Sequence, residues 1–341
     1  MKVALDGTPL TLENGGLRRY TEELHRALCQ EFPEDEYVLL SDQLAPPTNP
    51  LLRRWWLLGL PWEMAHHGLD LFHGTDFAVP YLPLRPAVMT VHDLSPWMDA
   101  SWQPAAGRVR QRTPILLRLG CARLVITPTE AVRRQVIEHF RVHPDRVVSI
   151  PEAASARFKP TASKPARQPY FLFVGTLEPR KNLPTLIEAW TEVYANSGVE
   201  LVLAGRRRED CPPLPSRPGL RVVGSVDEND LASLYSAAIA VVYPSLYEGF
   251  GLPVLEAMQS GTPVITTKDP AILEISGGAA IHVHAFDVAG WISAMSEVAA
   301  NQDLQYRLRA AGLERASCFS WQKTARLTHE LYEHVLRQAG A

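Results

Sequence analysis

The stretch YEGFGLPVLEAM, residues 247–258, decides the fold class. Pro253 suits the first turn of a helix, where its missing N–H has no partner to lose. Glu248 then lies in the loop before the helix, and Glu256 lies about one turn inside it. The apolar run 240–243 precedes this loop, and open α/β sheets bind ligands at the carboxyl ends of their strands. We therefore predict a strand, a ligand-binding loop and a helix, which together form the unit of an α/β fold.

Short apolar runs alternate with helical patterns along the rest of the chain. Strands that alternate with helices form a parallel sheet covered on both faces. Residues 156–169 interrupt the alternation, because they hold three prolines and no periodic apolar pattern. We therefore predict two doubly wound α/β domains, 1–155 and 170–320, a linker at 156–169 and an amphipathic helix at 321–341. The predicted strands are 2–5, 37–40, 69–73, 87–91, 124–127, 147–150, 170–174, 199–204, 220–223, 240–243, 263–267 and 279–282, and the predicted helices include 17–30, 129–140, 183–194, 230–237 and 253–260.

The composition of the 341 residues is that of an ordinary soluble globular protein, with 46% hydrophobic and 21% charged residues. The formal net charge of −3 gives no general attraction to nucleic acid, so we expect no nucleic-acid partner. The four cysteines lie far apart without metal-ligand spacing, which favours a reduced cytoplasmic protein with unpaired thiols. Asp6 interrupts the first apolar run, so no secretory signal is expected. The longest uncharged run, residues 231–247, is too short and too broken to span a bilayer.

The carboxylates of Glu248 and Glu256 admit three interpretations. Two carboxylates can form the acid/base pair of a hydrolase. They can also hydrogen-bond two parts of one extended ligand, which suits a pair with one member in a loop and the other in a helix. The third interpretation is structural, with Glu256 capping the helix and Glu248 solvated. The glycines and the proline around the pair favour the extended ligand.

The arrangement of Glu248, Gly249-Phe250-Gly251 and Glu256 resembles the signature of family-four retaining glycosyltransferases. The resemblance implies a GT-B fold, in which two Rossmann-like domains face a central crevice and a C-terminal helix crosses back to the first domain. It also implies that Glu248 contacts the donor sugar and that Glu256 hydrogen-bonds the ribose hydroxyls. Gly249, Phe250 and Gly251 would bind the donor, with the amides of the last two on sugar hydroxyls or phosphate.

A second motif, FVGTLEPRKNL at residues 173–183, spans the predicted end of a strand and the start of a helix. The chain has six lysines against twenty-eight arginines, so a lysine at the mouth of a helix suggests a specific role. Lys181 would neutralise the leaving diphosphate as a compact point charge, and the alternative is a solvated loop charge. The family pattern has an arginine directly after the strand-ending glycine, where this chain has Thr176. Arg180 either supplies the missing charge or faces solvent.

The substrates follow from the resemblance alone. Thr176 resembles the branch of the family that builds bacterial surface polysaccharides, often with mannose. This implies retaining transfer of a hexose, with mannose favoured, from a nucleotide-diphosphate sugar, with GDP-mannose favoured. The acceptor would be a glycan or a polyprenyl-linked molecule in polysaccharide or O-antigen biosynthesis. The nucleotide sugar is a substrate, and no cofactor is expected.

In the first domain, His92 and Asp93 follow the predicted strand 87–91. The family places a histidine there to meet the donor sugar, which makes His92 a candidate for substrate contact. The alternative is a loop histidine satisfied by a backbone partner. Asp93 would orient His92 or contact the acceptor. Gly15 and Gly16, in a strand–loop–helix setting, resemble the family's loop near the diphosphate and the acceptor.

Residues 53–58, RRWWLL, combine cations with interfacial aromatic side chains. Arg108, Arg110, Arg112 and Arg118 add positive charge nearby in the sequence. Such a mixture suits the surface of an anionic bilayer, which predicts a cytoplasmic protein in peripheral contact with the inner face of the membrane. The alternative is a core helix that buries the tryptophans.

No aspartate motif of the metal-binding kind stands where it could hold a diphosphate, so we expect no essential metal. Residues 227–230, DEND, are predicted to start a helix instead. His73, at another strand end, is interpreted as structural. Three other classes of protein remain open: a GT-B sugar-nucleotide epimerase, a phosphorylase carrying pyridoxal phosphate on a lysine, and a non-catalytic sugar-nucleotide-binding subunit.

Overall fold

The chain divides into two compact units, each with its own sheet and its own buried core. The computed structural model describes residues 1–13, 15–161 and 168–340. The first unit holds residues 1–153 together with 320–341, and the second unit holds residues 154–319.

Six parallel strands form the sheet of the first unit. The strands are β1 (Lys2–Asp6), β2 (Glu36–Leu40), β3 (Leu71–Gly74), β4 (Ala87–Thr90), β5 (Leu124–Thr127) and β6 (Val147–Ser149), and the helices between them are α1 (Gly16–Glu31), α2 (Leu60–His66), α3 (Ser95–Met98), α4 (Gly107–Arg118) and α5 (Glu130–Phe140). The spatial order is β2-β1-β3-β4-β5-β6. The four central strands are almost entirely buried, as expected for a parallel sheet covered on both faces.

The second unit repeats the architecture around a second sheet of six parallel strands. Its strands are β7 (Tyr170–Val174), β8 (Glu200–Ala204), β9 (Leu220–Gly224), β10 (Ala240–Tyr243), β11 (Val264–Thr267) and β12 (Ile281–Val283), and its helices are α6 (Leu183–Ser197), α7 (Glu228–Ala237), α8 (Leu252–Gln259), α9 (Pro270–Ser276), α10 (Val288–Ala300) and α11 (Gln302–Ala316). The spatial order is β12-β11-β10-β7-β8-β9. Trp190 on α6 and Trp291 on α10 are fully buried in its core.

Each sheet reverses its strand order at one place. In the first unit the chain adds β2 on one side of β1 and β3 on the other. In the second unit it adds β8 on one side of β7 and, later, β10 on the other. Loops leave such a pair of strands in opposite directions, which opens a crevice at their carboxyl ends. The fold therefore places one potential ligand site in each unit, beside β1 and β3 and beside β7 and β10.

The last helix, α12 (Trp321–Gly340), belongs to the first unit. Tyr332 on this helix is fully buried, and its hydroxyl lies 2.6 Å from His73 Nδ1. The other ring nitrogen of His73 lies 2.7 Å from Thr90 Oγ1. These contacts confirm that the C-terminal helix returns to the first domain, and they confirm the structural interpretation of His73.

The predicted linker, residues 156–169, is described only in part, because residues 162–167 lie outside the described ranges. The first of the two segments that form the first unit ends at Ala153, two residues before the predicted boundary. Phe158 is fully buried in the core of the second unit, and its carbonyl oxygen accepts a 2.7 Å hydrogen bond from Gln259. The described beginning of the predicted linker is thus part of the second unit, because a buried aromatic side chain anchors it there.

The RRWWLL segment is neither a regular core helix nor a fully exposed one. It leads into a π-helical turn, Trp55–Gly59, and then into α2. Trp55 is buried and Trp56 is half-buried, whereas the two arginines before them are exposed. The alternative in which the tryptophans are buried in the core therefore holds for Trp55, and the two arginines face solvent. Among the described helices, none combines the length and the apolar character needed to cross a bilayer.

Candidate active site

The loop after β7 is shaped by a proline and an asparagine. Pro179 begins a short 3-10 turn, Pro179–Lys181, for which its fixed φ is suitable. Asn182 follows in the left-handed conformation, with a φ of 52°, which asparagine adopts more readily than most residues. Its side-chain oxygen accepts a 2.9 Å hydrogen bond from Thr185 Oγ1. This turn brings Lys181 into the interior of the unit, where only 5% of the residue is exposed.

Lys181 lies in a buried polar group between the loops that follow β7 and β10. Its Nζ donates hydrogen bonds of 2.7 Å to the Tyr243 hydroxyl and 2.5 Å to Glu248 Oε1. Tyr243 donates to the same carboxylate oxygen at 2.9 Å, and Ser245 donates to it as well. The interpretation of Lys181 as a solvated loop charge is therefore wrong, because the ammonium group is buried and paired.

Arg180 joins the same group of charges. Its Nη1 donates a 2.5 Å hydrogen bond to the Tyr247 carbonyl and lies 3.3 Å from Glu248 Oε2. On the other side, Arg180 Nη2 donates to Glu178 Oε1 at 2.9 Å, and Arg208 Nη1 donates to Glu178 Oε2 at 2.6 Å. Arg180 is buried, so the alternative in which it faces solvent is wrong. We call the following residues the paired charge cluster: Glu178, Arg180, Lys181, Arg208 and Glu248.

Burial and pairing oppose each other within the paired charge cluster. Burial alone would raise the pKa of Glu248, but the charges of Lys181 and Arg180 outweigh it and hold that pKa at about 2. Burial and the neighbouring Arg180 lower the pKa of Lys181, and Glu248 offsets part of this effect. Buried charges persist only when they are paired, so each side of the cluster depends on the other.

The loop after β10 has a backbone that requires glycine at one position. Gly251 has a φ of 93° and directly precedes α8, which carries Pro253 in its first turn as predicted. A Cβ atom on Gly251 would lie 2.4 Å from Ile272 Cδ1. The side chain of Phe250 is buried, and its ring packs edge-on at 6.0 Å from the ring of Phe319. Phe250 can therefore offer a ligand its backbone amide rather than its side chain.

Both carboxylates of the signature motif are buried. Glu256 is 1% exposed, and its Oε2 accepts a 2.8 Å hydrogen bond from Tyr235. Glu248 is 8% exposed, so the structural interpretation in which it is solvated is wrong. Gly249 is buried in the same loop. The donor contacts expected of residues 249–251 and of Glu256 stay predictions.

In the first unit, His92 follows β4 and has an acceptor on each ring nitrogen. Nδ1 lies 2.9 Å from Glu152 Oε1, and Nε2 lies 2.8 Å from the Thr75 carbonyl oxygen. A carbonyl oxygen can only accept, so Nε2 donates, and the carboxylate favours a proton on Nδ1 as well. Burial alone would lower the pKa of His92, but Glu152 and the Thr75 carbonyl help to raise it to about 9. The raised pKa makes the ring an imidazolium at neutral pH, and the ring packs edge to face with that of Tyr20, with 4.6 Å between the two ring centroids.

The prediction that Asp93 orients His92 is wrong. Asp93 Oδ1 accepts hydrogen bonds from the backbone N–H and the hydroxyl of Ser95, at 2.8 and 2.6 Å. These bonds form a local turn at the start of α3. The carboxylate that contacts His92 is therefore that of Glu152 and not that of Asp93. Glu152 was missed because it follows the short strand β6 without any recognisable motif. The available signal was its position, because β4 and β6 end at the same edge of one parallel sheet.

Gly15 and Gly16 lie at the start of α1. Gly15 precedes the helix with a φ of 123°, and Gly16 is its first residue. Both are exposed. Asn14, which precedes them in the sequence, lies outside the described residues. The role of the two glycines near a diphosphate stays a prediction.

The acidic segment 227–230 begins a helix, as predicted. Asp227 caps α7 by accepting 2.9 Å hydrogen bonds from the backbone N–H groups of Asn229 and Asp230. Within residues 1–13, 15–161 and 168–340, no three His, Cys, Asp or Glu side chains are grouped so that they could hold a metal ion.

Two protein-family models match the chain in series. Residues 14–155 match "Glycosyltransferase Family 4", and residues 155–315 match "Glycosyl transferases group 1". Among solved structures, a sucrose-phosphate synthase from Thermosynechococcus elongatus superposes with a TM-score of 0.76 at 22% identity and covers 99% of both chains. WaaG, a glycosyltransferase involved in lipopolysaccharide biosynthesis, superposes with a TM-score of 0.70 at 14% identity and covers 97% of this chain and 99% of its own. These likenesses confirm the GT-B fold.

One relative is similar over its whole length. The O-antigen chain mannosyltransferase B of Escherichia coli is 31% identical, over 98% of this chain and 100% of the relative. The O-antigen chain mannosyltransferase RfbU of Salmonella typhimurium is 29% identical, over 66% of this chain and 63% of its own. This chain therefore belongs to family four of the GT-B glycosyltransferases.

Proposed function

We propose that the chain is a retaining, metal-independent hexosyltransferase of bacterial polysaccharide or O-antigen synthesis. It takes mannose from GDP-mannose and adds it to a hydroxyl of a glycan or polyprenyl-linked acceptor. The observation that carries the proposal is the paired charge cluster, which holds Lys181, Arg180 and Glu248 between the carboxyl ends of β7 and β10. A reversal of strand order is where open α/β sheets bind nucleotides.

Lys181 is the residue best suited to act on the leaving diphosphate. Its ammonium group has three N–H donors, of which Tyr243 and Glu248 accept two. The third has no acceptor among the residues that the structure describes. A phosphate oxygen would complete the set, and the charge would act most strongly as negative charge grows on the departing group. Tyr243 and Glu248 hold the ammonium in place before the donor arrives.

The reaction exchanges one bond for another without an enzymic nucleophile. The bond between the sugar C1 and the phosphate oxygen breaks, and the acceptor oxygen bonds to C1 on the face that the phosphate leaves. The acceptor's proton passes to the departing phosphate oxygen. In this scheme Glu248 contacts the donor sugar, the loop 249–251 and Glu256 bind the rest of the donor, and Lys181 and Arg180 take the place of a metal ion.

The choice of mannose has separate support. A relative that covers 98% of the chain is named O-antigen chain mannosyltransferase B, and Thr176 stands where the family pattern has arginine. Arg180 would supply the charge missing at Thr176. The exposed arginines of the RRWWLL segment support work at the inner face of an anionic membrane, where a lipid-linked acceptor would be found.

A donor panel tests the proposal. Release of nucleoside diphosphate is measured with GDP-mannose, UDP-glucose, UDP-N-acetylglucosamine and dTDP-glucose, each with and without a mannosylated lipid diphosphate acceptor. We expect release from GDP-mannose that depends on the acceptor and yields a glycosidic product. Turnover of the donor without an acceptor, giving an epimerised sugar nucleotide, would instead support the epimerase alternative. Binding of GDP without any turnover would support the non-catalytic subunit.

A further inference from the structure

The first unit contains an open cavity of about 830 Å³ that the proposed donor chemistry does not use. Asp6, at the end of β1, and Asp76, just after β3, both line it. The cavity therefore lies at the reversal of strand order in the first sheet, which is the position at which α/β sheets bind ligands. Its volume falls within the range of about 300–1,000 Å³ typical of small-molecule sites.

Four arginines line this cavity, and among the described residues none of them forms a direct ion pair, although the charge of Arg112 acts on Asp6 and Asp76 against the effect of their burial. Throughout the part of the chain that the structure describes, these side chains have no carboxylate within 4.0 Å and no hydrogen-bond acceptor. Arg112 lies over the ring of Trp56, with 5.6 Å between the guanidinium carbon and the ring centroid, and its Nε is buried without an acceptor. A buried N–H that lacks an acceptor is unfavourable until a ligand supplies one. We call the following residues the open arginine group: Arg53, Arg54, Arg108 and Arg112.

The carboxylates of the cavity offset this positive charge only in part. Burial raises the pKa of Asp6 to about 6, although hydrogen bonds from Thr8 act in the other direction. Burial also raises the pKa of Asp76. Asp6 is already occupied, because Thr8 donates to it from its backbone N–H at 2.9 Å and from its hydroxyl at 2.6 Å. Asp42 also lines the cavity, so four guanidinium groups face three carboxylates and leave a small excess of positive charge, which favours a phosphate group.

One wall of the cavity is apolar and continues onto the surface. Trp56, Leu57 and Tyr81 line it, and the Tyr81 backbone N–H donates a 2.8 Å hydrogen bond to the Trp56 carbonyl, which joins the two wall segments. Beyond this wall, Leu82 and Leu84 are 42% and 71% exposed. Exposed apolar side chains that continue from the wall of a cavity can cover an apolar part of a ligand.

We propose that this cavity binds the phosphoryl or diphosphoryl group of the acceptor, with the adjoining apolar chain along the wall of Trp56 and Tyr81. Each guanidinium group can donate two parallel hydrogen bonds to phosphate oxygens, and the neighbouring apolar wall can bury an apolar chain away from water. The inference rests on the proposed function for the identity of the ligand as acceptor. It narrows the acceptor class from any glycan to one that carries a phosphate beside an apolar chain.

The site also lies close to the histidine expected at the reacting sugar. Asp76 lines the cavity and directly follows Thr75, whose carbonyl oxygen accepts the Nε2 hydrogen bond of His92. The cavity and His92 thus share the segment Thr75-Asp76, so the proposal assigns the phosphate of the acceptor and its reacting end to the same unit.

Calorimetry with geranyl diphosphate tests the site without requiring turnover. Geraniol, inorganic pyrophosphate and phosphatidylglycerol vesicles serve as the other probes, and excess GDP is added to occupy the donor site. We expect geranyl diphosphate to bind in the presence of GDP and more tightly than geraniol or pyrophosphate. Arg112→Ala should weaken its binding by roughly 10- to 100-fold, the effect of losing a hydrogen bond between charged groups.

Arg134→Ala is the matched control, because that arginine lies on α5 in the same unit and its side chain is 77% exposed. It should leave the affinity unchanged. Arg112→Lys keeps the charge without the planar fork and should recover only part. If Arg112→Ala does not fold, Arg108→Ala provides a second test, because Arg108 is exposed on α4.

Three results would overturn the proposal. The first is equal affinity in folded Arg112→Ala and wild type. The second is displacement of geranyl diphosphate by GDP, which would place the diphosphate in the second unit. The third is arginine-dependent binding of the anionic vesicles without binding of geranyl diphosphate, which would assign the arginines to bilayer headgroups. Failure of the donor panel would leave these binding results unaffected, so the two proposals fail separately.

Discussion

The two units carry two sets of cations that differ in one respect. In the second unit, Lys181 and Arg180 are buried, and each contacts a carboxylate. In the first unit, Arg53, Arg54 and Arg108 are exposed, and the open arginine group has no carboxylate partner among the described residues. Buried charges must be paired within the protein, whereas exposed charges are stabilised by water and need no protein partner before a ligand binds. The paired cluster is therefore preorganised before a donor binds, and the open group is completed by its ligand.

This difference predicts different consequences of mutation. Changes in the paired charge cluster should affect folding and turnover together, because its members neutralise one another in the interior. Changes at the exposed members of the open arginine group, Arg53, Arg54 and Arg108, should affect the binding of ligand with little effect on stability, because solvated side chains contribute little to folding.

The largest expected effect is on stability, for Glu248→Ala. This change leaves Lys181 without its carboxylate in the interior, which should lower the free energy of unfolding by roughly 3–5 kcal/mol. Urea unfolding at pH 7 measures it, with Glu130→Ala on the surface of α5 as the control. The wild type should also lose this stabilisation in acid. The folded pKa of Glu248, about 2, lies below its ordinary value of 4.5, so the stabilisation is present above pH 4.5 and disappears between pH 4.5 and 2. A difference below 1 kcal/mol would mean that the cluster is not a unit.

The next effect is on turnover, for Lys181→Ala. Loss of a charge that acts on the departing diphosphate should lower kcat roughly 10²–10³-fold, by analogy with removal of one oxyanion donor. Lys181→Arg should recover part of the rate, because the larger planar group sits differently. Lys268→Ala, which removes an exposed lysine from the same unit, is the control and should be neutral. Near-normal kcat in folded Lys181→Ala would assign the diphosphate to other groups.

A smaller effect concerns pH and the first unit. The folded pKa of His92, about 9, lies above its ordinary value of 6.5, so its pairing with Glu152 stabilises the fold fully below pH 6.5 and is lost as the pH rises to about 9. The contribution is on the order of 3 kcal/mol. Unfolding in urea at pH 6 and pH 9.5 should show this decline in wild type and a much smaller one in Glu152→Gln. A directly observed imidazole pKa near 6.5 in wild type would contradict the paired imidazolium.

The smallest effect expected is that of metal removal. If Lys181 and Arg180 replace a metal ion at the diphosphate, turnover should be unchanged in excess EDTA. Rates with EDTA, and with magnesium or manganese added back, measure this directly. Complete loss of activity that either metal restores would refute the metal-independent mechanism.

The sheets could be predicted from the sequence because parallel strands are continuous apolar runs. Each of the twelve predicted strands overlaps an observed one, and the runs at 124–127, 170–174 and 240–243 match to the residue. The sequence does not predict the helix α4, because its arginines interrupt the apolar periodicity and Pro114 is unfavourable inside a helix. The helices α10 and α11 were likewise not assigned from the sequence. Local patterns identify strands better here because the strands are buried on both faces.

The sequence predicts individual residues of the candidate site but not the contacts between them. The sequence motifs identify Lys181 and Glu248 as site residues. Their ion pair joins positions 67 residues apart, so a local sequence pattern cannot predict it. The contact between His92 and Glu152 spans 60 residues and replaced the nearer but wrong partner Asp93. In the sequence, the arginines of the open arginine group indicate only a charged segment near a membrane, because their convergence on one cavity depends on how α4 packs beside residues 53–57.

Glycosyl transfer with retention is tested most directly by the anomeric configuration of the product. The wild-type chain is incubated in EDTA with GDP-mannose, whose mannose is α-linked, and with a mannosylated prenyl diphosphate. The one-bond coupling between C1 and H1 of the newly added mannose is then measured by NMR. We expect the coupling of an α-linked residue. A β-linked product would contradict attack on the face that the diphosphate leaves, and with it the role assigned to the paired charge cluster.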